Sequence, residues 1–255
     1  MNELTIRSLV GLVLILLAAG VLWAGGFIFW LVLVVVGLLM MAEWVDLHGG
    51  DAKARQIAQF SLSIPLAIMA PIAAGPGFFA LGLIAGTAFF VAMVTRRSAI
   101  GWGVVYVGLP VAALLYLREQ DNGMLLAFWA MALVWLTDIG AYFAGKSIGG
   151  PKLAPVLSPN KTWAGLIGGV IAAGLFGTAL HLFANLPLLL AAATPLLAFI
   201  AQGGDLYESW LKRRAGVKDS GNILPGHGGV LDRLDGLATV APIAALVVML
   251  PRWLA

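Results

Sequence analysis

The chain has 255 residues, 61% of them hydrophobic and 11% charged, against roughly 45–50% and about 25% in ordinary soluble domains. With a mean hydropathy of +0.99, it carries too little polar surface to enclose such a core in water. That excludes a soluble globule and a disordered chain, and leaves a lipid bilayer as the solvent. The absence of cysteine excludes disulfides and thiolate-held metal sites, and three scattered histidines, His48, His181 and His227, argue against a poly-histidine centre. A net charge of +3 is spread over short loops, so it points to membrane topology and not to a nucleic-acid partner.

A spanning helix needs about 20 mostly apolar residues. Apolar runs between Gly, Pro and charged residues predict an all-α polytopic membrane protein with about nine transmembrane helices. They fall at roughly 6–23, 26–42, 60–75, 77–94, 99–117, 123–145, 163–184, 187–204 and 236–253. The runs are continuous and not alternating, so spanning strands are excluded. Arg7 ahead of Ala18-Ala19-Gly20 resembles a signal peptide, but the run continues through Val21-Leu22-Trp23 into a second span, so a retained first helix is expected. The polar stretch Glu43 to Gln59 reads as a solvated cytoplasmic loop or an interfacial helix. Small residues at Gly82 and Gly86, and at Gly165, Gly169, Ala173 and Gly177, predict close helix approach. No internal repeat is visible.

With the N-terminus cytoplasmic, thirteen of the 15 basic residues fall inside: Arg7, Lys53, Arg55, Arg96, Arg97, Lys146, Lys152, Lys161, Lys212, Arg213, Arg214, Lys218 and Arg233. Only Arg118 and Arg252 fall outside, the bias that the positive-inside rule predicts. The expected organisation is a scaffold over 1–120, open to lipid or homodimer contacts, and a catalytic region over 121–255.

In that second region, three polar segments share the cytoplasmic side: Asp138 to Lys161, Gln202 to Glu208, and Ser209 to Asp235. The last places five basic side chains and the turn Gly226-His227-Gly228-Gly229 between carboxylates at Asp205 and at Asp232 and Asp235. Glycines there would let backbone N–H groups face an anion, as in a phosphate nest. Asp232 and Asp235 share a face if the last helix begins there. Carboxylates without Cys suit Mg²⁺ or Mn²⁺. Asp138 lies inside an apolar run, where an ionisable group costs several kcal/mol (roughly 2.5–3.5) and by default faces a cavity, a metal or a cation. Ser158-Pro159-Asn160-Lys161-Thr162 reads as a loop feeding a helix N-terminus, suited to a phosphate. A basic loop that merely orients the chain would explain the cations, but not the carboxylates that flank them.

Ser209 through Asp235 resembles the signature of the phosphatidate cytidylyltransferases (CDP-diacylglycerol synthases). Asp138-Ile139-Gly140-Ala141-Tyr142-Phe143, Ser158 to Trp163, and Gln202 to Ser209 are similar to that family's motifs in the same order. The likeness covers about the C-terminal half. The chain departs from it at Asn160, Ala164 and Gly236, where the family commonly has lysine, glutamate and serine. The resemblance implies that CTP and phosphatidic acid give CDP-diacylglycerol and pyrophosphate with Mg²⁺ or Mn²⁺, with room for a second metal or a monovalent cation, at a cytoplasm-facing site in the cell membrane. It implies a catalytic set of Asp205, Lys212, Lys218, Asp232 and Asp235. Asp205, Asp232 and Asp235 would be metal ligands, with Asp138 a further candidate. Ser158, Lys161, Arg213, Arg233 and the Gly226, His227, Gly228, Gly229 turn would bind substrate. The alternatives are a cytidylyltransferase for another lipid phosphate and an ion-coupled transporter, whose ion path would need no phosphate cradle.

Overall fold

In a computed structural model, the backbone is described from Glu3 to Leu254 and side chains from Leu9 to Pro251. The side chains of Arg7 and Arg252 lie outside the described residues. Among the described residues nine helices follow in chain order: α1 (Glu3–Ala24), α2 (Gly26–Leu47), α3 (Ala52–Ile68), α4 (Phe78–Thr95), α5 (Ser98–Glu119), α6 (Gly123–Ser147), α7 (Trp163–Ala184), α8 (Leu188–Arg214) and α9 (Leu231–Leu254). Seven of them, α2 and α4 to α9, are long and apolar enough to cross a membrane. Large apolar side chains such as Phe79, Phe90, Leu175 and Phe199 face outward, as lipid-facing positions should.

The helix α3 has 17 residues and a polar start, capped by Asp51, which accepts from the Ala54 N–H at 2.8 Å. It still carries the chain from one end of the bundle to the other. Arg97, after α4, donates to the Gly49 carbonyl at 2.5 Å, so α2 and α4 finish at the same end. At the opposite end Arg118, in the last turn of α5, donates to Leu22 of α1 at 3.1 Å. The basic residues that the sequence assigns to one side (Arg7 aside) thus gather at one end of the bundle.

Several expectations change, and the third helix covers 52–68 where the apolar run suggests 60–75. Glu43 to Gln59 is not a loop: α2 continues to Leu47 and takes Glu43 into the interior, and only 48–51 separate it from α3. The eighth span does not close near 204 but continues to Arg214, and the ninth begins five residues earlier than hydropathy suggests. The loop before α7 contains a small antiparallel hairpin, β1 (Lys152–Ala154) and β2 (Ser158–Thr162), with Lys152 opposite Thr162 and Ala154 opposite Ser158. Thr162 then caps α7, accepting from the Gly165 N–H at 3.0 Å.

Small residues set the helix contacts. A Cβ on Gly165 would lie 2.9 Å from the Ala141 carbonyl, one on Gly169 2.6 Å from that of Thr137, and one on Gly177 2.5 Å from Thr194 Oγ1. The stripe on α7 therefore packs against α6 and α8. Gly82 and Gly86 do not: among the described residues nothing lies within 4 Å of a Cβ placed on either. Buried side chains from both halves, Trp44 and Ile100 as well as Leu133 and Val240, belong to one continuous core.

Candidate active site

The site is built where α8 and α9 meet. A Cβ on Gly204 would stand 2.7 Å from the Asp235 carbonyl and overlap Thr239, so only glycine lets the helices approach this closely. That approach sets Asp205 on α8 near Asp235 on α9, and their charges act on each other and on Asp138 of α6. Asp138 accepts from Gln202 Nε2 at 3.1 Å, and Asp235 from the Gly236 N–H at 2.7 Å. Lys161, delivered by β2, lies 2.5 Å from Asp205. Gly236 also has a local reason to lack a side chain, because a Cβ would come within 2.9 Å of Val134 Cγ1.

The extra turns of α8 place Asp205, Glu208 and Lys212 at i, i+3 and i+7, along one face of the helix. Lys212 is sandwiched: its ammonium lies 3.2 Å from Glu208 and 2.6 Å from Asp232. Glu208, whose side chain is fully buried, is a site residue that the motif pattern alone does not single out. Its signal is the i, i+4 spacing to Lys212. The second oxygen of Asp232 accepts from the N–H groups of Ser220 and Gly229, both at 2.8 Å, and from Ser220 Oγ at 3.0 Å.

The turn Gly226-His227-Gly228-Gly229 uses part of its backbone on the chain itself. Gly226 and Gly228 adopt positive φ of 74° and 82°, and Leu224 and Gly228 bridge across the turn. Yet the N–H groups just beyond it point at the chain's own carboxylates: Gly229 at Asp232, and Val230 and Leu231 at Glu43. His227 serves the turn, its N–H donating to Leu224 at 2.9 Å and its carbonyl accepting from Arg233 Nε at 3.0 Å. Arg213, Lys218 and Arg233 are exposed on the rim, while Ser158 is half-buried at the start of β2.

The carboxylates of Asp138, Asp205 and Asp235 are hard oxygen donors of the kind Mg²⁺ prefers. Among the described residues, no three His, Asp or Glu side chains converge tightly enough to hold an ion unaided. Mg²⁺ commonly takes one or two carboxylates and completes its shell with water and substrate phosphates, so this donor set fits it.

Comparison with known proteins agrees with this chemistry. The model of the Cytidylyltransferase family matches residues 5–250. A phosphatidate cytidylyltransferase of Brucella suis is 39% identical over 254 residues, covering 96% of this chain and 93% of the relative. Proteins of the same name from Rickettsia felis and Bacillus subtilis are 35% and 46% identical, over 73% and 54% of this chain and 88% and 53% of their own lengths. With a match across nearly its whole length, the chain belongs to the cytidylyltransferase family, alongside the phosphatidate cytidylyltransferases.

Proposed function

We propose that the protein transfers the cytidylyl group of CTP to phosphatidic acid, giving CDP-diacylglycerol and pyrophosphate. The observation that carries this is the close α8–α9 approach at Gly204 and Asp235, which places Asp205 with Lys161, Asp138 with Gln202 and Asp232 with Lys212 at one end of a membrane bundle. A phosphate monoester oxygen of the lipid attacks the α-phosphorus of CTP. The bond from that phosphorus to the bridging oxygen breaks, and pyrophosphate leaves with the electron pair. The monoester has its second pKa near ~6 and is already ionised, so no general base is needed. The protein brings two polyanions together and neutralises the charge that develops.

In this reading Asp205 and Asp235, with Asp138 beside them, would hold Mg²⁺ or Mn²⁺, and a bound ion would supply counter-charge to the phosphates. Asp232 has Oδ2 filled by Ser220 and Gly229 and Oδ1 engaged by Lys212 alone, so it would orient Lys212 and could still offer the second lone pair of Oδ1 to an ion. Lys161 and Lys212 would reach the phosphates from inside and Arg213, Lys218 and Arg233 from the rim, with Ser158, half-buried at the start of β2, a further candidate contact. Residues 1–120 form the scaffold and 121–255 the catalytic region. The positive-inside rule places the basic end in the cytoplasm. Cysteines introduced at the exposed Ser98 and Asn222 should then resist an impermeant thiol reagent applied to intact cells. Labelling from outside contradicts that orientation. The activity is tested with purified protein in detergent: pyrophosphate release from CTP should require phosphatidic acid and a divalent cation and stop with a chelator. Equal release with any lipid phosphate would reject phosphatidic acid as the specific acceptor, and release without lipid would reject the transfer.

A further inference from the structure

Glu43 belongs to the half of the chain that reads as scaffold, yet its carboxylate lies inside the signature loop of the other half. It is 3% exposed. Oε1 accepts from the Val230 N–H at 2.9 Å and Oε2 from the Leu231 N–H at 2.8 Å, so Glu43 fills the N-terminus of α9 from outside that helix. Ser220 Oγ is 3.0 Å from Glu43 Oε2 and 3.0 Å from Asp232 Oδ2. Its one hydrogen serves one carboxylate at a time. A chain of contacts thus runs from α2 through Ser220 and Asp232 to Lys212. The loop is shaped around this carboxylate: a Cβ on Gly221 would lie 2.7 Å from Oε1, and one on Gly229 2.6 Å from Oε2. Neither glycine has a positive φ, so space, and not backbone freedom, calls for glycine there: for Glu43 at Gly221, and for both Ser220 Oγ (2.2 Å from such a Cβ) and Glu43 at Gly229. Glu43 itself is anchored through Trp44, whose indole donates to Ala99 at 2.9 Å and fills the room left by Gly103.

We infer that Glu43 is a positioning residue for the transfer: from α2 it holds the loop 219–231 so that Asp232 presents Lys212 to the phosphates. This rests on the function proposed above. The test uses the full-length protein in detergent, with Glu43→Gln and Ser220→Ala, and reads two quantities below the melting temperature of each variant. One is kcat per folded molecule at saturating CTP and phosphatidic acid. The other is hydrogen exchange of the amides from Ser220 to Leu231. Glu43→Gln turns one acceptor into a donor facing a backbone N–H. Its kcat should fall about tenfold or more, with the KM for phosphatidic acid near wild type and faster exchange confined to that loop. Ser220→Ala, which breaks the link to Asp232 but leaves the α9 cap, should lower kcat less and leave Val230 and Leu231 protected. Wild-type kcat and wild-type exchange in Glu43→Gln would overturn the inference, as would a kcat loss without any change in loop exchange. If Glu43→Gln does not fold, a Ser220→Ala protein with unaltered kcat overturns it alone. Exchange needs no substrate, so a failure of the proposed reaction would show in the wild-type assay and remain distinguishable.

Discussion

Two carboxylates three residues apart on α9 have opposite surroundings. Asp232 is enclosed by donors: Lys212 on one oxygen, Ser220 and Gly229 on the other. Asp235 has one backbone donor, from Gly236, and is buried close to the carboxylates of Asp205 and Asp138, with the Lys212 charge a weaker influence. A carboxylate surrounded by N–H groups is already paid for by the fold, and its removal leaves those donors unpaired. A group of carboxylates facing one another gains from a cation brought by the substrate. In the function proposed here, the difference separates the part of the site that holds its own shape from the part that would take the cation and CTP.

The largest expected effect breaks the second part alone. Asp235→Asn removes a charged oxygen donor without uncovering a network, so turnover should fall about a hundredfold or more while the melting temperature stays near wild type. A fully active Asp235→Asn protein would remove the cation from this position. The enclosed side should behave differently. Asp232→Asn and Lys212→Met each leave a partner buried, and losing one member of such a pair costs about 3–5 kcal/mol. Both should lower turnover and thermal stability together, read by activity and melting in the same detergent. A loss of turnover with unchanged stability would place Asp232 with the waiting carboxylates.

A smaller effect is expected at the contact that joins the two parts. Gly204→Ala pushes a methyl against Asp235 and Thr239, and overpacking of this kind costs about 1–3 kcal/mol. It should reduce both stability and turnover by separating α8 from α9, and a fully active, fully stable Gly204→Ala protein would show that the approach is not needed. The smallest belongs to Asp219, exposed beside Lys218. Asp219→Asn should leave turnover and melting close to wild type, since exposed ion pairs contribute little. A loss comparable to that of Asp232→Asn would extend the site into the mid-loop.

Much of this was legible in the residues. The order of nine helices follows from apolar runs, and the sharing of one α9 face by Asp232 and Asp235 follows from their spacing. The end of α8 was hidden because its last ten residues, Asp205 to Arg214, carry five charges and look like a loop to any hydropathy window. The helical spacing of Asp205, Glu208 and Lys212 was the available signal. Glu43 was hidden by the same habit, since the apolar run is cut at its first charge. The rule that marks Asp138 as an intramembrane ionisable group applies equally to Glu43. The hairpin β1–β2 escaped because strands of three and five residues beside Pro155 and Pro159 carry almost no strand pattern. That Gly221 and Gly229 make room for a side chain from α2 is a long-range fact, which no local pattern contains.

The central claim is that this end of the bundle joins a lipid phosphate to the α-phosphorus of CTP. Purified protein given phosphatidic acid, Mg²⁺ and CTP labelled at the α-phosphorus should move the label into the lipid phase, whereas label at the γ-phosphorus should stay in water as pyrophosphate. Asp235→Asn should abolish the first transfer. Label from the γ-position entering the lipid, or α-label remaining in water with active lipid and cation present, would contradict the account.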